Sequence, residues 1–146
     1  MFETNMKKRE HTTKRPVEMT EVEWEIMRVV WDKEPCAAGT VQEELAHRRA
    51  KSGKASKAYS TIKTTMDRMV EKGFLKIEKI RNLQIFRSCI SEVDAKHREF
   101  RGMLKRAFNG ALTPMMQFLI EHEGITKDEA SQLRELVKKA EDNEEK

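Results

Sequence analysis

The spacing of the apolar residues changes at Gly73, and that change restricts the fold more than any other feature of the chain. Before it, three segments repeat at helical spacing. Thr20-Glu21-Val22-Glu23 forms a capping box, in which the Thr hydroxyl takes a helix N–H and Glu23 reaches back. Val22, Ile26, Met27 and Val30, flanked by Trp24 and Trp31, then predict a first helix over about 20–32. Asp32-Lys33-Glu34-Pro35 ends it, because proline disfavours the helical conformation in the residue before it. Val41, Leu45 and Ala46 mark a second helix over about 38–50, and Lys51–Lys57 reads as a basic loop. Ile62, Met66, Met69 and Val70 place one apolar face on a third helix over about 59–72, with Gly73 as its C′ stop. Beyond Gly73 the period becomes two. Leu75 and Ile77, then Leu83 and Ile85, alternate on either side of Arg81-Asn82, which predicts a hairpin over about 74–90. Three helices followed by a hairpin is the layout of a winged helix-turn-helix.

After Ser91 the helical period returns. Phe100, Leu104 and Phe108 share a stripe over about 92–108, and Asn109-Gly110 breaks it. Thr113-Pro114 is expected to open another helix with Pro at its first position, where a missing N–H costs nothing. Met115, Phe118 and Leu119 line that helix, Gly124 stops it, and Thr126-Lys127-Asp128-Glu129 is a second capping box before Leu133, Leu136 and Val137. The expected organisation is a basic N-terminal arm over 1–18, a winged-helix domain over 19–90, a helical dimerisation domain over 91–140 and a charged tail over 141–146. The fold class is mainly α.

Composition explains why a second subunit enters the reading. Hydrophobic residues make up 38% of the chain and charged residues 37%, so small cores joined by exposed helices fit better than one large core. The stripe of Phe100, Leu104, Phe108, Phe118, Leu133 and Leu136 is therefore assigned to burial in a homodimer. Charge is unevenly distributed. Residues 47–88 hold twelve Lys/Arg against Asp67, Glu71 and Glu78, a balance of +9, whereas residues 121–146 balance at −4. A basic middle beside an acidic end points to a polyanion partner for the middle alone.

Several classes are set aside. No apolar run approaches the roughly 18 residues a membrane span needs, and the polar N-terminus lacks a secretory h-region, so a cytoplasmic protein without membrane insertion is expected. Cys36 and Cys89 form no CxxC pair and are read as small buried hydrophobes. His11, His47, His97 and His122 are scattered, so no metal or other cofactor is assigned. The hydroxyls of the third helix have no neighbouring His to activate them, and no carboxylate pair, triad or phosphate loop can be assembled. An enzyme is not expected.

The third helix turns Ser60, Thr61, Lys63, Thr64, Asp67 and Arg68 away from its apolar stripe. Hydroxyls at a helix start reach phosphates or base edges, and Lys63 and Arg68 reach guanine O6/N7 or phosphate in a major groove. At the hairpin, Lys79, Arg81 and Asn82, with Lys76 and Arg87, suit the sugar-phosphate backbone, supplying affinity rather than sequence choice.

With these motifs in place, the chain resembles the penicillinase-repressor family of bacterial transcriptional regulators. The carrying residues are Thr20-Glu21-Val22-Glu23-Trp24-Glu25-Ile26-Met27 with Trp31, then Tyr59-Ser60-Thr61-Ile62-Lys63-Thr64, then Arg68-Met69-Val70-Glu71-Lys72-Gly73-Phe74-Leu75. Phe108-Asn109-Gly110-Ala111-Leu112 is similar to the family's helix break in the dimerisation arm. The resemblance covers about residues 19–137 and adds Tyr59 to the DNA-facing set. It implies a homodimeric repressor gripping a palindromic double-stranded DNA operator. It also implies a β-lactam-response operon, relieved when a membrane sensor-protease leads, indirectly, to cleavage in the C-terminal arm. Gln117-Phe118 stands where β-lactam-responsive members carry an Asn-Phe scissile bond, which makes it the candidate cleavage site. Members that respond to copper use a C-terminal cysteine cluster, which this chain lacks. The basic loop Arg48–Lys57 is longer than in the family, and the wing tip Arg81-Asn82-Leu83 differs. Two alternatives stay open at this point: a ligand-responsive winged-helix regulator, and a winged-helix protein-interaction module.

Overall fold

A computed structural model of the chain describes residues 18–145; the N-terminal arm expected over 1–18 lies, apart from Glu18, outside them. The elements are α1 (Glu21–Lys33), α2 (Ala38–Lys51), α3 (Tyr59–Glu71), β1 (Leu75–Ile80), β2 (Leu83–Ser88), α4 (Glu92–Phe108), α5 (Leu112–Phe118), a π-helical turn (Leu119–Glu123) and α6 (Lys127–Glu145). They form two compact units, one through Glu99 and one from Phe100 onward. The first is a winged helix-turn-helix.

The first unit closes around one core. Ile26, Met27, Val29 and Val30 from α1 meet Val41 and Leu45 from α2, and Ile62, Met66 and Met69 from α3 complete the helical layer. Phe74, Leu75 and Phe86 add the hairpin, and Ile90 and Ala95 bring in the start of α4. Both ends of α1 form as their chemistry requires. Thr20 Oγ1 accepts from the Glu23 amide at 3.2 Å while Glu23 Oε1 accepts from the Thr20 amide at 2.8 Å, completing the capping box. At the other end Glu34, before Pro35, leaves the helix with ψ 144°.

The end of α3 confirms Gly73 as the stop and supplies its geometry. Gly73 has φ +90°, its amide donates to the Val70 carbonyl at 3.1 Å, and the Phe74 amide donates to Met69 at 2.9 Å. Those two bonds make a Schellman motif. Because Phe74 and Met69 are both buried, the same turn that ends the helix launches β1 from the core.

The hairpin is antiparallel, with Leu75 opposite Ser88, Ile77 opposite Phe86 and Ile80 opposite Leu83. Arg81 and Asn82 take φ of 52° and 71°, so the two-residue loop has positive φ at both positions, as a type I′ turn requires. Leu75, Ile77 and Phe86 share the inward face, and Leu83 and Ile85 fall on the outward face with Lys76, Glu78 and Arg87. The two-residue turn fixes the register, so Leu83 and Ile85 fall opposite Ile80 and Glu78, and the buried position of β2 is Phe86. Cys36 adds a one-residue third strand: its amide donates to the Phe86 carbonyl at 3.2 Å and its carbonyl accepts from Phe86 at 2.7 Å.

In the second unit Asn109 and Gly110 end α4 with φ of 55° and 83°. Helix α5 begins at Leu112, so Pro114 is its third residue and not its first. The position still lies in the first turn, where an amide has no partner within the helix, and the proline costs nothing there. The second capping box is present, with Glu129 Oε1 accepting from the Thr126 amide at 2.9 Å and Thr126 Oγ1 accepting from the Glu129 amide at 3.0 Å. Phe108 and Phe118 meet edge to face at 5.7 Å, and Phe118 lies 4.4 Å from His122. Cys36 is buried as expected, but Cys89 is exposed: the residue follows the end of β2, where its side chain points away from the core. No helix among the described residues is long and apolar enough to cross a membrane.

Candidate nucleic-acid interface

Helix α3 is amphipathic in the way the interface needs. Ile62, Met66 and Met69 are fully buried, while Tyr59, Ser60, Thr61, Thr64, Asp67 and Arg68 are exposed and Lys63 is half-buried. The helix start carries Ala58 as N-cap, with no side chain capping it. The first-turn amides of Tyr59, Ser60 and Thr61 therefore point out of the helix beside two hydroxyls, an arrangement suited to a phosphate oxygen. Gln42 of α2 holds the approach to this turn through a bond from Nε2 to the Lys57 carbonyl at 3.4 Å.

The twelve cations of the basic middle divide into two groups. Arg49 Nη1 sits 2.8 and 3.0 Å from the Glu25 carboxylate while its Nε donates to the Ala55 carbonyl at 2.7 Å, with both side chains only 13% exposed. It joins α1, α2 and the basic loop as a structural bolt. Lys72 Nζ contacts Glu23 at 2.6 Å, where the carboxylate is 3% exposed, and so ties the end of α3 to the capping box of α1. Arg48 binds both Asp32 and Glu44, and its hydrogen bond holds the Glu44 carboxyl below its usual range. Lys54 pairs with Glu21, and Arg87 pairs with Glu78 across the hairpin, lowering the Glu78 carboxyl in the same way. Lys63 Nζ lies 2.9 and 3.0 Å from the Asp67 oxygens, one turn along α3.

Among the described residues, Lys51, Lys57, Arg68, Lys76, Lys79 and Arg81 face no carboxylate within ion-pair distance. They lie at the end of α2, before and along α3, and on the hairpin. Cations without internal partners are the ones free to exchange counterions for phosphates. Of the residues predicted for DNA, Arg68, Lys79, Arg81, Asn82 and the hydroxyl set are exposed, whereas Lys63 is already shared with Asp67. Lys51 and Lys57 were visible in the sequence only as loop charge. Nothing in the linear pattern separated them from Arg49 and Lys54, whose partners Glu25 and Glu21 are distant in sequence, whereas Arg48 has Glu44 one helical turn away as well as Asp32.

The hairpin is anchored by contacts that sequence reading missed. Glu34 accepts from the Ser88 amide at 2.7 Å and from Ser88 Oγ at 3.0 Å, and Trp31 Nε1 donates to the Ile90 carbonyl at 2.9 Å. With the Cys36 bridge, these bonds hold the wing to the end of α1 and leave only its tip to project.

In the second unit Phe100, Phe118 and Leu136 are exposed, Phe108 and Leu133 are half-buried, and Leu104 is already covered within the chain. Leu112, Ile120 and Val137 are exposed apolar residues absent from the predicted set. Gln117 is exposed at the end of α5, one residue before Phe118 and directly ahead of the π-helical turn.

Fold and surface together define a winged-helix protein with an exposed helix-turn-helix and a basic wing. The penicillinase repressor family model matches residues 19–139, and the chain belongs to that family. It is 27% identical over 122 residues to the methicillin resistance regulatory protein MecI of Mammaliicoccus sciuri, covering 84% of this chain and 94% of the relative. The penicillinase repressor of Staphylococcus aureus is 24% identical over 123 residues, 84% of this chain and 93% of its own length. That of Bacillus licheniformis is 25% identical over 124 residues, 85% and 92% of the two chains.

Proposed function

We propose that this member of a repressor family acts as a homodimer on a palindromic operator, with α3 in the major groove and the wing on the flanking backbone. The observation that carries the reading is the set of unpaired cations running from Lys51 through Arg68 to Arg81, beside the uncapped, hydroxyl-rich start of α3. Tyr59, Ser60, Thr61, Lys63, Thr64 and Arg68 are the reading set; Lys79, Arg81 and Asn82 grip. Dimerisation rests on the exposed Phe100, Phe118 and Leu136 with Leu112, Ile120 and Val137, apolar surface that a charged 146-residue chain buries most simply against its own copy.

The relatives' names connect the family to methicillin and penicillinase regulation, and a β-lactam-response operon is the target proposed here. Relief of repression is assigned to cleavage at Gln117-Phe118, set in motion by a membrane sensor-protease acting indirectly. A protease needs an extended substrate, and the π-helical turn that follows the bond, ending at Gly124 with φ +80°, is a short segment that opens at low cost. Losing α6 and its apolar side would weaken the dimer and with it the gain from linking two half-sites.

Titration of the full chain against random-sequence and in-vitro-selected duplexes over a range of salt tests the reading. Two protomers per selected duplex, with affinity falling steeply as salt rises, is the expected result. Salt-independent binding, or one protomer per duplex with no symmetry in the selected sequence, would refute it.

A further inference from the structure

Five cations precede the winged helix and belong to neither α3 nor the wing. Residues 1–17 hold Lys7, Lys8, Arg9, Lys14 and Arg15 against Glu3 and Glu10, a balance of +3 in a chain whose net charge is +4. They form two clusters, Lys7-Lys8-Arg9 and Lys14-Arg15, with Thr12 and Thr13 between them. The penicillinase repressor model begins at residue 19, so the part of the chain shared with the family does not include these charges. A run of like charge is most often simply solvated. The point at which this one joins the fold gives it a partner.

Met19 packs against the core and Thr20 caps α1, which fixes the point of attachment. From the first turn of α1, Glu21 Oε1 lies 3.2 Å from Lys54 Nζ in the loop that leads into α3, and Glu23 contacts Lys72 at the other end of α3. One turn further, Glu25 holds Arg49, whose Nε donates to the Ala55 carbonyl of the same loop. The start of α1 therefore lies alongside α3, within side-chain reach of the segments at both its ends. A chain spans at most about 3.6 Å per residue, so Lys14 and Arg15 can act within roughly 18 Å of Met19 and Lys7 within roughly 43 Å. The longer reach is about twelve base pairs of duplex. Charge selects the partner. Residues 47–88 balance at +9, so a further +3 attached beside them is repelled unless a polyanion lies between. Duplex DNA carries a charge every ~1.7 Å of its axis. The acidic residues 121–146 balance at only −4.

We propose that residues 7–15 are a separate DNA-binding segment: Lys7, Lys8, Arg9, Lys14 and Arg15 neutralise phosphates of the duplex flanking each half-site, outside the stretch covered by α3 and the wing. This inference rests on the DNA-binding reading above and extends the interface to residues that the winged helix does not contain. Phosphate contacts carry no base information, so the segment adds affinity and length to the site and no sequence choice.

The test compares the full-length protein with K7Q/K8Q/R9Q, with K7R/K8R, and with K127Q/K138Q/K139Q, which removes the same charge from exposed positions of α6. Each is titrated against a long random-sequence duplex over a range of salt and footprinted with hydroxyl radicals on a selected duplex. Each phosphate neutralised contributes about 0.9 to the slope of log K against log salt. K7Q/K8Q/R9Q should therefore lower the slope by about two to three units per protomer, a loss on the order of a hundredfold in affinity at 0.1 M salt. K7R/K8R should keep the wild-type slope, and K127Q/K138Q/K139Q should lower it by less than about one unit. Wild type should protect backbone several base pairs farther from the centre of the site than K7Q/K8Q/R9Q does. Salt-independent binding by the wild type overturns the DNA-binding reading and this inference together. A K7Q/K8Q/R9Q protein with the wild-type slope and footprint overturns the inference alone, as does an equal loss in K127Q/K138Q/K139Q, which would make the effect one of net charge. Tighter DNA binding by K7Q/K8Q/R9Q would also overturn it, by placing these cations on the protein's own acidic residues.

Discussion

Asp67 is the one carboxylate on the exposed face of α3 near Lys63, and removing its charge should strengthen non-specific DNA binding at almost no cost to the fold. The Lys63–Asp67 pair is an i,i+4 contact with side chains 28% and 49% exposed. Such pairs stabilise a helix by about 0.3–0.5 kcal/mol before screening, and the order here, cation before anion, is the weaker one. D67N should therefore lower the melting midpoint by at most about 2–4 °C. Its effect on DNA is larger. While Asp67 neutralises Lys63, the pair presents no net charge to phosphate; D67N frees one cation. One additional neutralised phosphate steepens the dependence of log K on log salt by about 0.9, which is about an eightfold gain in affinity at 0.1 M salt. Fluorescence anisotropy on a labelled random-sequence duplex at several salt concentrations reads both quantities. Adding K63M to D67N should take the slope back down by about 0.9, to the wild-type value. A D67N protein with the wild-type slope would show that this face of α3 stays out of the interface, and would remove the main support for placing α3 in the groove.

Four further outcomes follow from the same geometry. K63A and T64A should each weaken binding to a selected duplex by about 1–3 kcal/mol while changing random-sequence binding little, and equal losses on both would show that α3 does not read sequence. A fragment ending at Glu99, which retains the core residues Ile90 and Ala95, should sediment as a monomer at micromolar concentration; a dimeric fragment would move the subunit interface out of the second unit. Cys89 should react rapidly with an aromatic disulfide reagent in the native protein and Cys36 only after unfolding, because burial first, and then the Glu34 charge, pushes the Cys36 thiol up. F86A should destabilise the first unit by about 3–5 kcal/mol in denaturant titrations, a large part of the stability of a small domain, whereas a loss below about 1 kcal/mol would mean that the hairpin is not bolted to the core through this ring.

What could be read in the linear chain was whatever is decided within a few residues. Thr20 and Thr126 start helices through partners three positions away, Gly73 ends α3 because no other residue takes φ +90° without strain, and Arg81-Asn82 turns the hairpin. The apolar stripe of α3 and the surplus of cations followed from periodicity and counting. Tertiary structure decided the matters that depend on distant partners. The docking of β2 was set by Phe86 reaching the core and pairing with Cys36, fifty positions earlier, whereas the face taken by Leu83 and Ile85 already follows from a two-residue turn at Arg81-Asn82. The division of the basic middle was likewise invisible in sequence, where Arg49 and Arg68 are equivalent charges. Folding brings Glu25 to one and, among the described residues, no carboxylate within ion-pair distance of the other. An ion pair across 24 positions spends a charge on the fold, and only a charge left over can be offered to a phosphate.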